Sequence, residues 1–203
     1  MKSSPSLRDV SRQAVRSQIA RTAEELFVTK GFEATTVDEI AGAVGMSQRS
    51  FFRYFASKDD VVLDTYERTG DDCVERLRSR PRDEPEWEVL RAVFDVVVEQ
   101  FEDEARRSHG LAIQGIVEGS SALLAGYLEK MDRVQERLTG ELVSRARERD
   151  TRHEPDRLVV RATVGAAFAC LQSCVSDAVR TGDTSGLRSR LDRVMESLRP
   201  HDG

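Results

Sequence analysis

One stretch, Thr36 to Lys58 (TVDEIAGAVGMSQRSFFRYFASK), constrains this chain more than any other. Its residues have the spacing of two helices joined by a tight turn. Counting from Val37, Ala41 is fifth, Gly45 ninth and Phe51 fifteenth. A small residue at the fifth place lets two helices approach. Glycine at the ninth supplies a left-handed turn that other residues reach only at a cost. Phe51 fills the angle between the helices. Ile40, Val44, Met46 and Tyr54 fall at further inward places. Ser47, Gln48, Arg49, Ser50, Phe52 and Arg53 are left on the outward side of the second helix, about 47–55.

The helix starts agree with this frame. Thr36 and Glu39 have the spacing of a capping box. Ser47 can cap the second helix, and Ser57 with Asp60 a helix that follows. The residues read as a DNA-entering helix-turn-helix over about 36–55; the other reading is an ordinary helical corner. Arginine can hold guanine O6 and N7, and glutamine adenine N6 and N7, so Arg49 and Gln48 are base-reading candidates. Tyr54, Lys58 and Thr36 lie where a hydroxyl or an ammonium would meet the phosphate backbone. Arg12 and Arg16, near the start of the preceding helix, are either phosphate contacts or solvated surface.

The charge balance fits this division. The 203-residue chain has net charge −5. Residues 1–58 carry nine Lys/Arg against six Asp/Glu, leaving 22 against 30 in the rest. A cationic end can approach phosphates while the acidic remainder keeps away. No apolar run approaches the roughly 18 residues of a membrane helix. The opening MKSSPSLRDVSRQ lacks the apolar core of a secretory leader, and three cysteines suit a reducing compartment, so a cytoplasmic protein is expected.

With five prolines, the chain reads as all-α, about nine helices. They are expected near 11–30, from 37 to the turn at Gly45, 47–55, 58–78, from Pro85 through Phe101, 104–121, 121–149, 155–181 and 185–198, with residues 1–10 frayed. The sixth is expected short or broken, since Gly110, Gly115 and Gly119 each cost a helix about 1 kcal/mol relative to alanine. The division is a DNA-binding domain over residues 1–57 and a larger domain over 58–203. The eighth helix, LVVRATVGAAFACLQSCVSDAV within it, is apolar nearly all round and so is buried on more than one face. With the ninth it would form an intersubunit four-helix bundle through Val164, Ala167, Phe168, Leu171, Leu187, Leu191, Val194 and Leu198. The alternative is that both helices only cover their own core.

No nucleophile–base pair, phosphate-cradling glycine loop or metal-ligand cluster is legible; His109, His153 and His201 are scattered. Neither catalysis nor a cofactor is implied. Cys170 and Cys174, adjacent turns of one helix, read as small buried apolar residues.

Ile19 to Val62, IARTAEELFVTKGFEATTVDEIAGAVGMSQRSFFRYFASKDDVV, resembles the amino-terminal domain of the TetR family of bacterial transcriptional regulators. The FFRYFASK run is similar to a subset of it common in high-GC bacteria. The resemblance implies a homodimeric repressor on a palindromic DNA operator, released when a small molecule enters the larger domain. By position it carries Thr36, Tyr54 and Lys58 as phosphate contacts, and Gln48, Arg49 and Ser50 as base readers. Where members often have glycine and tyrosine, this chain has Arg49 and Phe52. Arg49 adds a base reader, and Phe52 exchanges a phosphate bond for contact with a thymine methyl or a sugar. The implied pocket is largely apolar, lined by Tyr66, Trp87, Phe94, Val97, Phe101, Ile113, Tyr127, Cys170 and Cys174, with Thr163 or Gln172 as further polar anchors. The alternative is an architectural or interaction protein of the same fold without an inducer.

Overall fold

The structure is a computed structural model and describes residues 6–150 and 154–200. The regular elements among the described residues are all helices, with no strand. In chain order the helices are α1 Leu7–Lys30, α2 Val37–Val44, α3 Gln48–Phe51, α4 Lys58–Ser79, α5 Glu86–Val93, α6 Asp95–Glu102, α7 Glu104–Glu118, α8 Ser121–Arg149, α9 Arg157–Thr181 and α10 Leu187–Ser197. All nine expected helices are present. The fifth is divided at Phe94 into α5 and α6, which makes ten among the described residues.

Several expectations need correction. α1 begins at Leu7, so residues 7–10 are helical; residues 1–5, His153 and His201 lie outside the described residues. The expected weak segment is an unbroken helix, α7, ending before Gly119. Ile113 and Val117, at 1% and 0% exposure, supply the burial that outweighs its glycines. α9 starts one residue past its cap, Asp156, whose carboxylate accepts from Leu158 N–H at 2.8 Å. α9 is also long and apolar enough, by length and composition, to cross a membrane. It packs on α5 and α10, and its buried residues Val160, Val164, Ala167, Cys170, Leu171, Cys174 and Ala178 form one inward stripe.

Packing groups the chain into two compact units. One contains residues 1–66 and 111–127, the other 67–110 and 128–203. The expected boundary at residue 57 follows function along the sequence. The compact unit around the helix-turn-helix also takes in the first nine residues of α4, the end of α7 and the start of α8.

The first unit closes on Ile19, Ala23 and Phe27 of α1, Ile40 and Ala41 of α2, Phe51, Phe55, Val61 and Val62, joined by Ile113, Val117 and Leu123. Tyr66 and Tyr127 meet edge to face with centroids 4.7 Å apart. The Tyr66 hydroxyl donates to Gln114 Oε1 at 3.0 Å. Burial pushes both phenols up from their ordinary range.

The second unit's core joins Trp87, Leu90 and Phe94 to Leu138 and Leu142 of α8, to Val164, Ala167 and Leu171 of α9, and to Leu187, Leu191 and Met195 of α10. Trp87 Nε1 donates to the Met195 carbonyl at 3.0 Å. Phe94 meets Phe168 edge to face at 5.1 Å. Gly70 lets α4 approach α8 closely: a Cβ there would lie 2.4 Å from Val134 Cγ2. Arg145 is buried and donates to the carbonyls of Leu77 and Arg80, at 3.1 and 3.2 Å, and of Pro81. A cation there complements the carbonyl end of α4.

Candidate nucleic-acid interface

The geometry begins with the two caps. Thr36 Oγ1 accepts from Glu39 N–H at 3.2 Å, and Glu39 Oε2 accepts from Thr36 N–H at 2.9 Å, so the capping box is closed in both directions. Lys30 donates to the same carboxylate, and with the Thr36 bonds it lowers the Glu39 carboxyl from 4.5 to about 2. Gly45 follows α2 with φ 76° and ψ 33°, the left-handed turn. Ser47 Oγ then accepts from Ser50 N–H at 3.2 Å and starts α3. The regular part of that helix is Gln48–Phe51, with turn structure on to Tyr54, shorter than expected.

Burial separates the two sides of the motif. Ile40, Ala41 and Phe51 are buried, Ala41 at 1% and Phe51 at 0% exposure. Thr36, Ser47, Gln48, Arg49, Phe52 and Arg53 are exposed, and Ser50, Tyr54 and Lys58 are intermediate. Phe52 keeps 51% of its surface in solvent while its ring stands edge-on against Phe51, centroids 5.6 Å apart. A phenyl ring held outward beside Gln48, Arg49 and Arg53 makes a surface with both hydrogen-bond donors and an apolar contact, as base edges require.

Two expected cations are engaged within the protein. Arg16 donates through Nε to Asp64 Oδ1 at 2.7 Å and through Nη1 to the Tyr54 carbonyl, with its guanidinium 4.2 Å from the Phe55 ring centroid. It fastens α1 to α4 and to the end of the motif, so the phosphate reading of Arg16 gives way to a bracing role. Arg16 stands one helical turn before Ile19 on the inward stripe of α1, and that spacing was the available signal. Lys58 Nζ donates to the Phe32 carbonyl at 2.9 Å. Arg12 is exposed.

The nine residues expected around a ligand are divided between the cores of the two compact units. Tyr66, Ile113 and Tyr127 belong to the first unit's cluster; Trp87, Phe94, Val97, Phe101, Cys170 and Cys174 belong to the second's. Thr163 is half-buried and Gln172 exposed. Trp87, Phe94, Cys170 and Cys174 are closed into packed core. Within the second unit a concavity of about 420 Å³ is lined by Asp72, Glu75, Arg76, Ser79, Val96, Glu99, Gln100 and Arg106. It is mainly polar and contains none of the nine.

Of the eight residues expected between subunits, Val164, Ala167, Leu171, Leu187 and Leu191 are buried within this chain. Phe168 and Val194 are half-buried, and Leu198 is 59% exposed. The outward side of α9 instead carries Leu158 at 77% and Val159 at 60% exposure, followed by exposed Ala162, Ala166 and Ala169.

A capped helix, a left-handed glycine turn and a second helix with polar, basic side chains outward define a helix-turn-helix protein. Residues 19–65 match the family model described as bacterial regulatory proteins, tetR family, and this amino-terminal domain belongs to that family. It is 34% identical over 145 residues to the HTH-type transcriptional regulator TcmR of Streptomyces glaucescens, covering 70% of this chain and 64% of TcmR. The chain thus spans under two thirds of that relative. The fold is similar to FadR of Thermus thermophilus, a TetR-family repressor solved with lauroyl-CoA, at TM-score 0.65, 22% identity and coverage of 93% and 99%. It is similar also to FadR of Bacillus subtilis, solved with stearoyl-CoA, at TM-score 0.62, 18% identity and coverage of 90% and 96%.

Proposed function

We propose that this chain is a cytoplasmic, homodimeric transcriptional repressor that reads a palindromic DNA operator through α3. The observation that carries the reading is the outward set Gln48, Arg49, Phe52 and Arg53 on a turn locked by Gly45, Ala41 and Phe51. In this reading Arg49 and Gln48 contact base edges, assisted by Ser47 and Ser50. Phe52 contacts a thymine methyl or a sugar. Thr36, Tyr54 and Arg53 set register on the phosphates. The copies pair through the outward side of α9, where Leu158 and Val159 flank a run of small residues that permits close helix approach. Selecting bound duplexes from random DNA tests the reading. Recovery of no preferred sequence would end it.

The release signal in this reading is a small, largely apolar molecule. What supports it is the likeness in fold to the two FadR proteins solved with acyl-CoA ligands. The ligand acts by binding the state that does not bind DNA more tightly. The closed packing around Trp87, Phe94, Cys170 and Cys174 favours a second reading, a DNA-binding protein of this fold with no inducer. Lauroyl-CoA titrated into the protein–operator complex separates the two: release supports the first, and undiminished binding the second.

A further inference from the structure

The concavity of about 420 Å³ in the second unit is a groove between one face of α4, one face of α6 and the first turn of α7. Its volume is within the range of small-molecule sites. α4 contributes Asp72, Glu75 and Arg76, α6 contributes Val96 and Glu99, and α7 contributes Arg106. Val96 is the one apolar residue of the lining, so an acyl chain would find almost nothing to pack on. What the groove offers is charge.

Most of that charge is spent within the protein. Arg76 Nη2 holds both Glu99 oxygens at 3.2 Å, so these two cancel. Two charges are left over. Among the described residues, no hydrogen bond or ion pair holds the Asp72 carboxylate or the Arg106 guanidinium. Asp103, three residues before Arg106, instead accepts from the Arg106 backbone N–H at 2.8 Å. The adjoining Arg107 is paired with Glu104 at 2.7 Å. Elsewhere in the unit Arg91, Arg137, Arg161 and Arg188 all hold carboxylates. Against that saturation, an unused anion and an unused cation in one groove stand out. Burial first, and the Asp71 charge second, raise the Asp72 carboxyl more than Arg68 lowers it. That is the condition of a carboxylate short of both water and positive charge. Glu75 lies three residues on along the same face of α4 and only 3.9 Å from Arg78, so it adds a second, loosely held carboxylate.

We propose that this groove binds a small zwitterion, whose ammonium pairs with Asp72 and Glu75 and whose carboxylate pairs with the Arg106 guanidinium. A carboxylate suits that guanidinium because two parallel N–H bonds can meet its two oxygens. An amine or a simple acid would leave one of the two protein charges unanswered. The site is separate from the packed cores around Trp87 and Tyr66, and the inference does not rest on the DNA-binding reading.

The test uses the full chain with glycine, β-alanine, γ-aminobutyrate and ε-aminohexanoate, which carry the same two charges at increasing separation. The amine and the acid of matching chain length carry one charge each. Binding is located by NMR shifts of backbone amides, and its strength is read by titration. At least one separation should bind, with shifts on α4, α6 and the start of α7. Its amine and its acid should each bind about three- to tenfold more weakly, between an exposed ion pair and a charge-assisted hydrogen bond. Asp72→Asn should weaken the zwitterion by the same factor and leave the acid unchanged. Arg106→Gln should weaken the zwitterion likewise and leave the amine unchanged.

The proposal is overturned if no member of the series shifts the groove. It is overturned equally if the amine or the acid binds as tightly as the zwitterion, or if neither substitution weakens binding. Asp72 and Arg106 are both exposed, so neither change opens a core, and helical circular dichroism checks the fold. If Asp72→Asn lowers the helical signal, Glu75→Gln takes its place and should weaken the zwitterion and not the acid. No DNA enters the experiment. Its failure therefore leaves the helix-turn-helix reading standing, and a failed selection of duplexes leaves the zwitterion site standing.

Discussion

Gly42 and Gly45 lie three residues apart, and replacing each by alanine should move stability in opposite directions. An added Cβ at either position meets no atom within 4 Å, so no steric term enters. What remains is backbone conformation. Gly45 sits at φ 76°, where an L-residue costs about 1–2 kcal/mol. Gly42 lies inside α2 and is exposed, so alanine there should gain up to about 1 kcal/mol from helix propensity. The two variants should thus differ by about 2 kcal/mol. For a chain of this size about 1 kcal/mol corresponds to 2–4 °C in melting temperature, so their midpoints should stand about 4–8 °C apart, one on each side of the unaltered protein. Urea unfolding followed by helical circular dichroism supplies the free energies. A Gly45→Ala protein as stable as the original would refute the left-handed turn as the lock of the motif.

Acid should loosen the start of α2. The Glu39 carboxyl is held at about 2 against an ordinary 4.5, first by the Lys30 hydrogen bond and then by Thr36. A depressed folded-state value contributes stability that is complete above the ordinary range and lost as pH falls toward 2. Lys30→Gln should raise the Glu39 titration midpoint measured by NMR, and an unmoved midpoint would contradict the stated cause. Arg145→Leu removes the donor to three carbonyls around the end of α4 and should cost about 3 kcal/mol in urea unfolding. No loss would show that water replaces it. Ala166→Arg, on the exposed side of α9, should yield a folded monomer by sedimentation, whereas an intact dimer would move the interface elsewhere.

The elements legible in the sequence are those with local causes. Thr36 with Glu39, Ser47 and Gly45 each satisfy a requirement of the few residues beside them, and all take the expected geometry. Ala41 and Phe51 were legible because the motif's spacing leaves them one inward direction. What was illegible depended on distant partners. α7 is continuous because Ile113 and Val117 are buried, which local propensity cannot register. α9 is apolar nearly all round, so periodicity could not say that Val164, Ala167 and Leu171 face inward while Leu158 and Ala166 face solvent. The cations Arg16, Lys58 and Arg145 look alike as letters. Only the fold shows a carboxylate and a carbonyl, two loop carbonyls, and a helix end as their partners.

The most direct measurement of the central claim is selection from random duplex DNA, carried out in parallel with the unaltered protein and with Arg49→Ala. The account predicts a palindrome whose half-sites lie about 34–36 Å apart, one turn of the double helix. Arg49→Ala should recover the same palindrome with preference relaxed at one base pair of each half-site, the lost discrimination being about 1–3 kcal/mol. A sequence-independent pool from the unaltered protein, or an Arg49→Ala pool weakened equally at every position, would contradict it.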